Sequence, residues 1–224
     1  MIRNRIIILL MLLYANTLVL AQSQNDDYTI ENTWGINKNT RSALIGGFVF
    51  KHGVRNSSGS FTTYGLELID VRHPAELKSI TGTGSSYIIG KRNHLFAIRG
   101  QYGRDFVLFN KAPQQGVQIN LVLAAGPSIG LESPYYVQVD SNNQNSVIGR
   151  GFIFQGLFES KIVLGANLKT SLNFEFGTLK SSVSGFEAGF LLDAYFRKID
   201  MMVNAENYAV WPTAFVVLFY GSRK

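Results

Sequence analysis

Residues 116–131 read GVQINLVLAAGPSIGL, and their period decides the fold. Taken every second residue, Val117, Ile119, Leu121, Leu123, Ala125, Pro127, Ile129 and Leu131 form one apolar face. The alternate set, Gln118, Asn120, Val122, Ala124, Gly126, Ser128 and Gly130, is small or polar. A period of two is the signature of a β-strand. Sixteen alternating residues exceed the roughly 5–6 of an ordinary strand in a soluble sheet. They suit a strand that turns its apolar side to lipid and its polar side to an enclosed interior.

The same alternation recurs on both sides of this stretch. Leu44, Phe48 and Phe50 share a face in 43–51, and Tyr64, Leu66 and Leu68 oppose Gly65 and Glu67 in 61–72. In 94–109, Phe96, Ile98 and Tyr102 oppose Ala97, Arg99, Gln101 and Gly103. In 164–177 the apolar set Leu164–Ala166–Leu168–Leu172–Phe174–Phe176 opposes Asn167, Lys169, Ser171, Asn173 and Glu175. In 186–197 Phe186, Phe190 and Leu192 oppose Glu187, Asp193 and Arg197, and 213–220 is apolar on both faces. A soluble β-sandwich or lipocalin-like barrel also alternates, but its outer face is solvated, whereas these opposing faces are Gly, Ala, Ser and Asn with single charges.

Seven segments are an odd number, and single-chain bacterial barrels have even ones. Residues 28–37, YTIENTWGIN, supply the eighth, with a hairpin turn at 37–40. The expected fold is therefore all-β, a transmembrane antiparallel up-and-down barrel of eight strands. Short turns at 56–60, 111–116 and 178–185 fall on one side, and long connections at 73–92 and 136–163 fall on the other. FIFQGLFESK, at 152–161, has room for a turn or two of helix. Tyr102, Phe106, Tyr135, Tyr136, Tyr195, Phe196, Phe219 and Tyr220 are expected in interfacial aromatic girdles.

The first residues read as an address. Arg3 and Arg5 precede the apolar run IIILLMLLY (6–14), and Val19 and Ala21 precede Gln22 as a small-residue cleavage rule requires. Asn16 and Thr17 interrupt the run too early for a membrane-anchor helix. A signal peptide over 1–21 and a single barrel domain over 22–224 follow as expectations. The formal charge of +6 falls to +4 once Arg3 and Arg5 are removed, and no basic run of the nucleic-acid type remains. Cys is absent, which excludes disulfides, thiolate metal sites and a lipidated N-terminal Cys.

Candidate chemistry lies first on the inward faces. Glu67, Asp105, Glu132, Glu175, Glu187 and Asp193 are acidic there, Lys51, Arg99, Lys169 and Arg197 are basic, and Gln101 joins them. In a narrow barrel such groups must pair, because an unpaired buried charge is costly. A structural ion-pair plug is the reading preferred over a proton path or a catalytic carboxylate pair. His52, His73 and His94 lie near strand ends, with Ser57, Ser58, Ser60, Ser85 and Ser86 in loops. No G-x-S-x-G elbow and no metal-ligand spacing accompanies them, so no catalytic residue, metal or cofactor is assigned. GTGSSYIIGK (82–91) lacks the phosphate-loop spacing, since Arg92 follows Lys91. Arg72, Lys78, Lys91 and Arg92 are candidates for contact with lipopolysaccharide phosphates or a partner protein.

The stretches NTRSALIGGFVF, YGLELIDVRHPAE, YIIGKRNHLFAIRGQYG, KAPQQGVQINLVLAAGPSIGLESPYY and FVVLFYGSRK resemble the small outer-membrane β-barrel proteins of Bacteroidota, over residues 33–222. The resemblance implies an exported barrel in the bacterial outer membrane and says little of activity. The end of the chain departs from that family's terminal aromatic residue, because Gly-Ser-Arg-Lys follows Tyr220. Residues and resemblance together predict a structural or accessory protein, not an enzyme, that meets outer-membrane lipid, lipopolysaccharide and other outer-membrane proteins. Docking is expected through the connections 73–92 and 136–163. A narrow pore or small-ligand carrier is the alternative, and a His–Ser lipid deacylase a more remote one.

Overall fold

The computed structural model describes residues 28–43, 45–56, 59–82, 84–110, 116–140, 146–176 and 181–224. The expected signal segment 1–21 and Leu44 lie outside them. In chain order the strands are β1 (Ile30–Asn39), β2 (Gly47–Arg55), β3 (Ser60–Val71), β4 (Lys78–Ile80), β5 (Ser86–Ile88) and β6 (Asn93–Phe109). They continue as β7 (Gln118–Pro134), β8 (Val137–Val139), β9 (Val147–Arg150), β10 (Lys161–Phe176), β11 (Ser182–Tyr195) and β12 (Val210–Arg223). Eight of these close in the order β1-β12-β11-β10-β7-β6-β3-β2, every pair antiparallel. Closure joins β1 to β12 from Glu31↔Arg223 to Asn39↔Phe215, so no barrel strand is left with a bare edge.

Burial follows the period of two throughout. On β7, Gln118, Asn120, Val122, Ala124, Ser128 and Gly130 are buried, and their alternates face outward. The outer wall carries exposed Trp34, Phe48, Leu66, Leu68, Leu123, Leu164, Leu168, Phe190 and Leu218 among other large apolar side chains. A continuous apolar belt of this extent has no stable place in water, whereas hydrocarbon accepts it and demands the closed hydrogen bonding seen here. The barrel crosses the bilayer with strands, and among the described residues no helix is long and apolar enough to do so.

Several boundaries differ from the sequence reading. The turn expected at 37–40 begins only after Asn39, because β1 keeps pairing to that residue. The 213–220 strand extends to Val210–Arg223, and the 186–197 strand runs from Ser182 to Tyr195. Polar ends such as Ser182 and Arg223 remain in the barrel because they face its interior. Two girdle candidates point inward as well: Tyr195 is buried among apolar side chains, and Phe219 packs against Leu191, Phe215 and Val217.

Both described ends, Tyr28 and Lys224, lie on the side of the short connections. The other side carries 72–92 with the β4–β5 hairpin, 135–160 with the β8–β9 hairpin and a 3₁₀ turn at Leu157–Glu159, and 196–209. The two hairpins are not visible in the sequence pattern, since strands of three or four residues are too short to show a period.

Candidate functional site

The interior is filled from the short-turn end upward. Lowest lies Arg223, whose Nε donates to Glu31 Oε2 at 2.7 Å and whose Nη2 is paired with Glu175. Asn120 Nδ2 also donates to Glu175, at 2.8 Å, and the guanidinium sits 4.2 Å from the Tyr28 ring centroid. Above it runs an unbroken chain of opposite charges. Lys51 donates to Asp105 at 2.8 Å and lies 3.9 Å from Glu187. Glu187 pairs with Lys169 at 2.8 Å, and Lys169 also donates to Glu67 at 2.9 Å. Glu67 accepts from Arg99 Nη1 at 3.1 Å, and Arg99 Nη2 donates to Asp193 at 2.6 Å.

With the Arg223 cluster included, carboxylates outnumber cations six to four, and neutral donors make up the difference. Ser171 donates to Glu187 at 2.7 Å, Ser128 to Asp193 at 3.0 Å and Thr63 to Asp105 at 3.2 Å. Every charge is thus paired and hydrogen-bonded, which is the condition for holding ions away from water. Gln101 lies beside Gly65, and its Nε2 has no hydrogen-bond partner among the described residues. Glu31 and Arg223 were missed in the sequence, although Arg223 is in phase with inward Phe215 and Val217.

Pro127 interrupts the β6–β7 ladder, since it has no N–H to give Gly100 across the strand pair. Asn167 of β10 repairs the gap. Its Nδ2 lies 3.2 Å from Gly100 O, 3.1 Å from Gly126 O and 3.0 Å from Pro127 O. The approach is close enough that a Cβ on Gly126 would lie 2.2 Å from Gly100 O, so only glycine fits.

Above the charges the filling turns apolar. Ile69, Val71, Leu95, Ala97, Val163, Tyr195 and Trp211 come from the barrel wall, and Ile199, Met201 and Met202 come from the 196–209 connection folded into the mouth. Asn207 holds that connection, its Oδ1 accepting from the backbone N–H of Met201 at 2.9 Å and of Met202 at 3.1 Å. Glu132 fastens it to the rim, accepting from Asp200 N at 2.9 Å and from Asn93 Nδ2 at 3.2 Å. Arg197 is a correction: it leaves the strand, is half-exposed, and meets Glu132 at 2.5 Å at the rim instead of lining the lumen.

The outer connections interlock. Thr81 Oγ1 donates to Ile148 O at 3.4 Å, Ile88 N donates to Tyr135 Oη at 3.0 Å, and Lys91 bridges to Met202. Burial raises the Tyr135 hydroxyl above its ordinary value and keeps it protonated. Of the four basic loop candidates, Lys91 is a further correction, because it is buried and donates to Glu76 at 2.6 Å. Arg92 is engaged by Asp200, so it is not a free cation either. Arg72 lies 3.7 Å from Asp70, and Lys78 is exposed.

The histidines are engaged elsewhere. His73 is buried between Tyr208 and Trp211, with its Nε2 2.9 Å from Glu206 O. His94 stacks on Phe96 and meets the Tyr135 ring edge, and His52 bonds Asn32 at 2.7 Å. Among the described residues no serine hydroxyl is hydrogen-bonded to a histidine, and no group of three metal-ligating side chains occurs.

No family model matches the chain, and no curated protein does. Solved structures similar to it include Neisserial surface protein A, at 10% identity and TM-score 0.40, over 88% of this chain and 95% of that one. Ail, the attachment invasion locus protein of Yersinia pestis, is similar at 10% identity and TM-score 0.42, over 88% and 97% of the two chains. Ail in complex with the heparin analogue sucrose octasulfate gives 11% identity and TM-score 0.41, over 88% and 97%.

Proposed function

We propose that this is a sealed structural or accessory barrel of the bacterial outer membrane, exported by the segment 1–21. It serves by presenting its outer connections and does no chemistry of its own. The carrying observation is the double filling of the interior: the charge ladder Asp105–Lys51–Glu187–Lys169–Glu67–Arg99–Asp193 beneath the apolar plug of Ile199, Met201 and Met202. A ladder of satisfied ion pairs favours a plug over a conducting path, and a dry layer above it favours that reading further.

The docking surface is the pair of connections 73–92 and 136–163. They carry exposed Leu77, Ile80, Ile89, Val137 and Val139 on interlocked hairpins, which is more apolar surface than a solvated loop needs. Around this surface the barrel meets lipopolysaccharide and other envelope proteins. Two measurements test the reading. Reconstituted into planar bilayers, the full chain should give no conductance above background; stable single-channel steps would establish the pore instead. Crosslinking in native membranes followed by mass spectrometry should recover a stoichiometric envelope partner through 73–92 or 136–163, and recovery of none would end the accessory role.

A further inference from the structure

We infer that the outer rim holds a lipid-phosphate site, formed by Arg72, Lys78 and Arg150 on the outside of the barrel wall and flanked, beyond His94, by the rings of Phe96 and Phe154. This deepens the reading above, since it rests on the barrel standing in an outer leaflet. The cleft is lined by the end of β3, the β4–β5 hairpin, the start of β6 and the end of β9. Asp70 and His94 alternate with inward Ile69, Val71 and Leu95, so this cleft opens on the lipid side of the wall.

Charge decides what it takes. Lys91 is spent on Glu76, and Arg72 is balanced by Asp70 at 3.7 Å, which leaves guanidinium donors unused. Lys78 and Arg150 are exposed, and beyond their backbone ladders their side chains have no ion-pair or hydrogen-bond partner among the described residues. Tyr135 Oη accepts from Ile88 N and keeps its own hydrogen to donate. Two unbalanced cations and a hydroxyl donor at one cleft suit an anion with several acceptor oxygens.

The surroundings decide that the anion belongs to a lipid. The cleft is small, about 30 Å³, so a ligand can seat little more than its phosphate oxygens there and its bulk stays outside. Outside lies an aromatic shelf continuous with the apolar belt. His94 stacks on Phe96 at 5.8 Å, Phe96 meets Phe154 at 6.0 Å, and Phe154 meets Phe152 at 5.7 Å. Phe152, at the end of this shelf, is 71% exposed, which leaves its ring open for acyl chains to cover. A phosphate over an apolar shelf is the pattern of an amphiphile, and the lipid A type of phosphomonoester fits both parts. Arg150 was absent from the sequence candidates, and it supplies the cation that Lys91 does not.

Native mass spectrometry of the full chain in neutral detergent tests this, with lipid A, dephosphorylated lipid A and inorganic phosphate as probes. Wild type should retain lipid A, and Arg150→Ala with Lys78→Ala should retain it about ten-fold less. Lys198→Ala, which removes one exposed charge elsewhere at the rim, should leave retention unchanged. Dephosphorylated lipid A should bind about ten-fold more weakly to wild type. Equal retention by the double variant, equal binding of the dephosphorylated lipid, or full displacement by millimolar inorganic phosphate would each overturn the site. Heat-modified gel mobility reports separately whether each variant is a folded barrel, and the single Arg150→Gln change at an exposed position repeats the test if the double variant is not. A chain that never forms a bilayer-inserted barrel would instead defeat the functional reading itself.

Discussion

Between Arg223 and Asp193 the barrel is filled mainly with charges and amides around a small apolar patch of Leu191, Phe215 and Val217, whereas between Leu95 and Met202 it is filled like the core of a soluble protein. Both zones are buried and both draw on inward strand residues, but only the upper one also draws on a connection. In the lower zone all side chains project from paired strands, whose other face is committed to lipid. Facing side chains then neutralise one another across the lumen, as Lys169 of β10 does with Glu67 of β3. In the upper zone a connection enters the mouth and brings its own apolar side chains. The difference teaches that inward strand residues accept either filling: polar where they face only one another across the lumen, and apolar where a connection enters to pack against Ile69, Val71, Leu95 and Trp211.

Removing one charge from the lower zone should have the largest effect. Lys169→Met leaves Glu67 and Glu187 without their shared cation and should cost about 3–5 kcal/mol, read by urea unfolding from vesicles. Adding Glu187→Gln should recover a large part of that loss. A loss below about 1 kcal/mol would mean the lower zone behaves like an exposed ion pair and the contrast with the plug fails.

The upper zone answers to cavity rules instead. Met201→Ala removes a fully buried side chain and should cost about 2–4 kcal/mol in the same unfolding experiment, with no change in the salt dependence of stability. A loss under about 0.5 kcal/mol would say that the loop does not pack as a core.

Asn167→Ala should cost about 1–3 kcal/mol, because the Gly100, Gly126 and Pro127 carbonyls lose their donor within a membrane-spanning segment. In a Pro127→Ala background the restored N–H can serve Gly100, and the same substitution should cost less by at least about 0.5 kcal/mol. Strict additivity in that double-mutant cycle would remove Asn167 as the mend for the proline. Smallest of all, Glu132→Gln should change global stability by less than about 1 kcal/mol while hydrogen exchange at Asp200 and Met201 rises several-fold, because only the clasp on 196–209 is loosened.

The strands were legible because a period of two survives any uncertainty about their ends. The ends were not, because residues such as Ser182 and Arg223 look like loop residues until their inward phase is noticed. Phase alone also puts Glu67, Arg99, Lys169 and Glu187 on the polar face, but it does not name their partners. Lys169 and Glu67 are 102 residues apart on strands that are not neighbours, so their meeting depends on barrel register and width. The upper zone was least legible. Ile199, Met201 and Met202 follow no strand period, and Lys78 and Lys91 look alike in a loop until tertiary contacts bury one of them.

The seam between β1 and β12 has a kinetic meaning. Glu31 and Arg223 meet across 192 residues, and the N–H groups of Thr29 and Ile30 donate to Lys224 O at 2.7 and 2.8 Å. Until β12 arrives, β1 and β11 each present a row of unpaired backbone groups, which hydrocarbon penalises by several kcal/mol apiece. Sheet growth alone therefore cannot insert this chain strand by strand. Insertion is coupled to closure, and the slowest contact in sequence distance is the one that makes the membrane tolerable. A chain cut before Val210 would keep most of its ladder and plug residues and still have nowhere in a bilayer to stand.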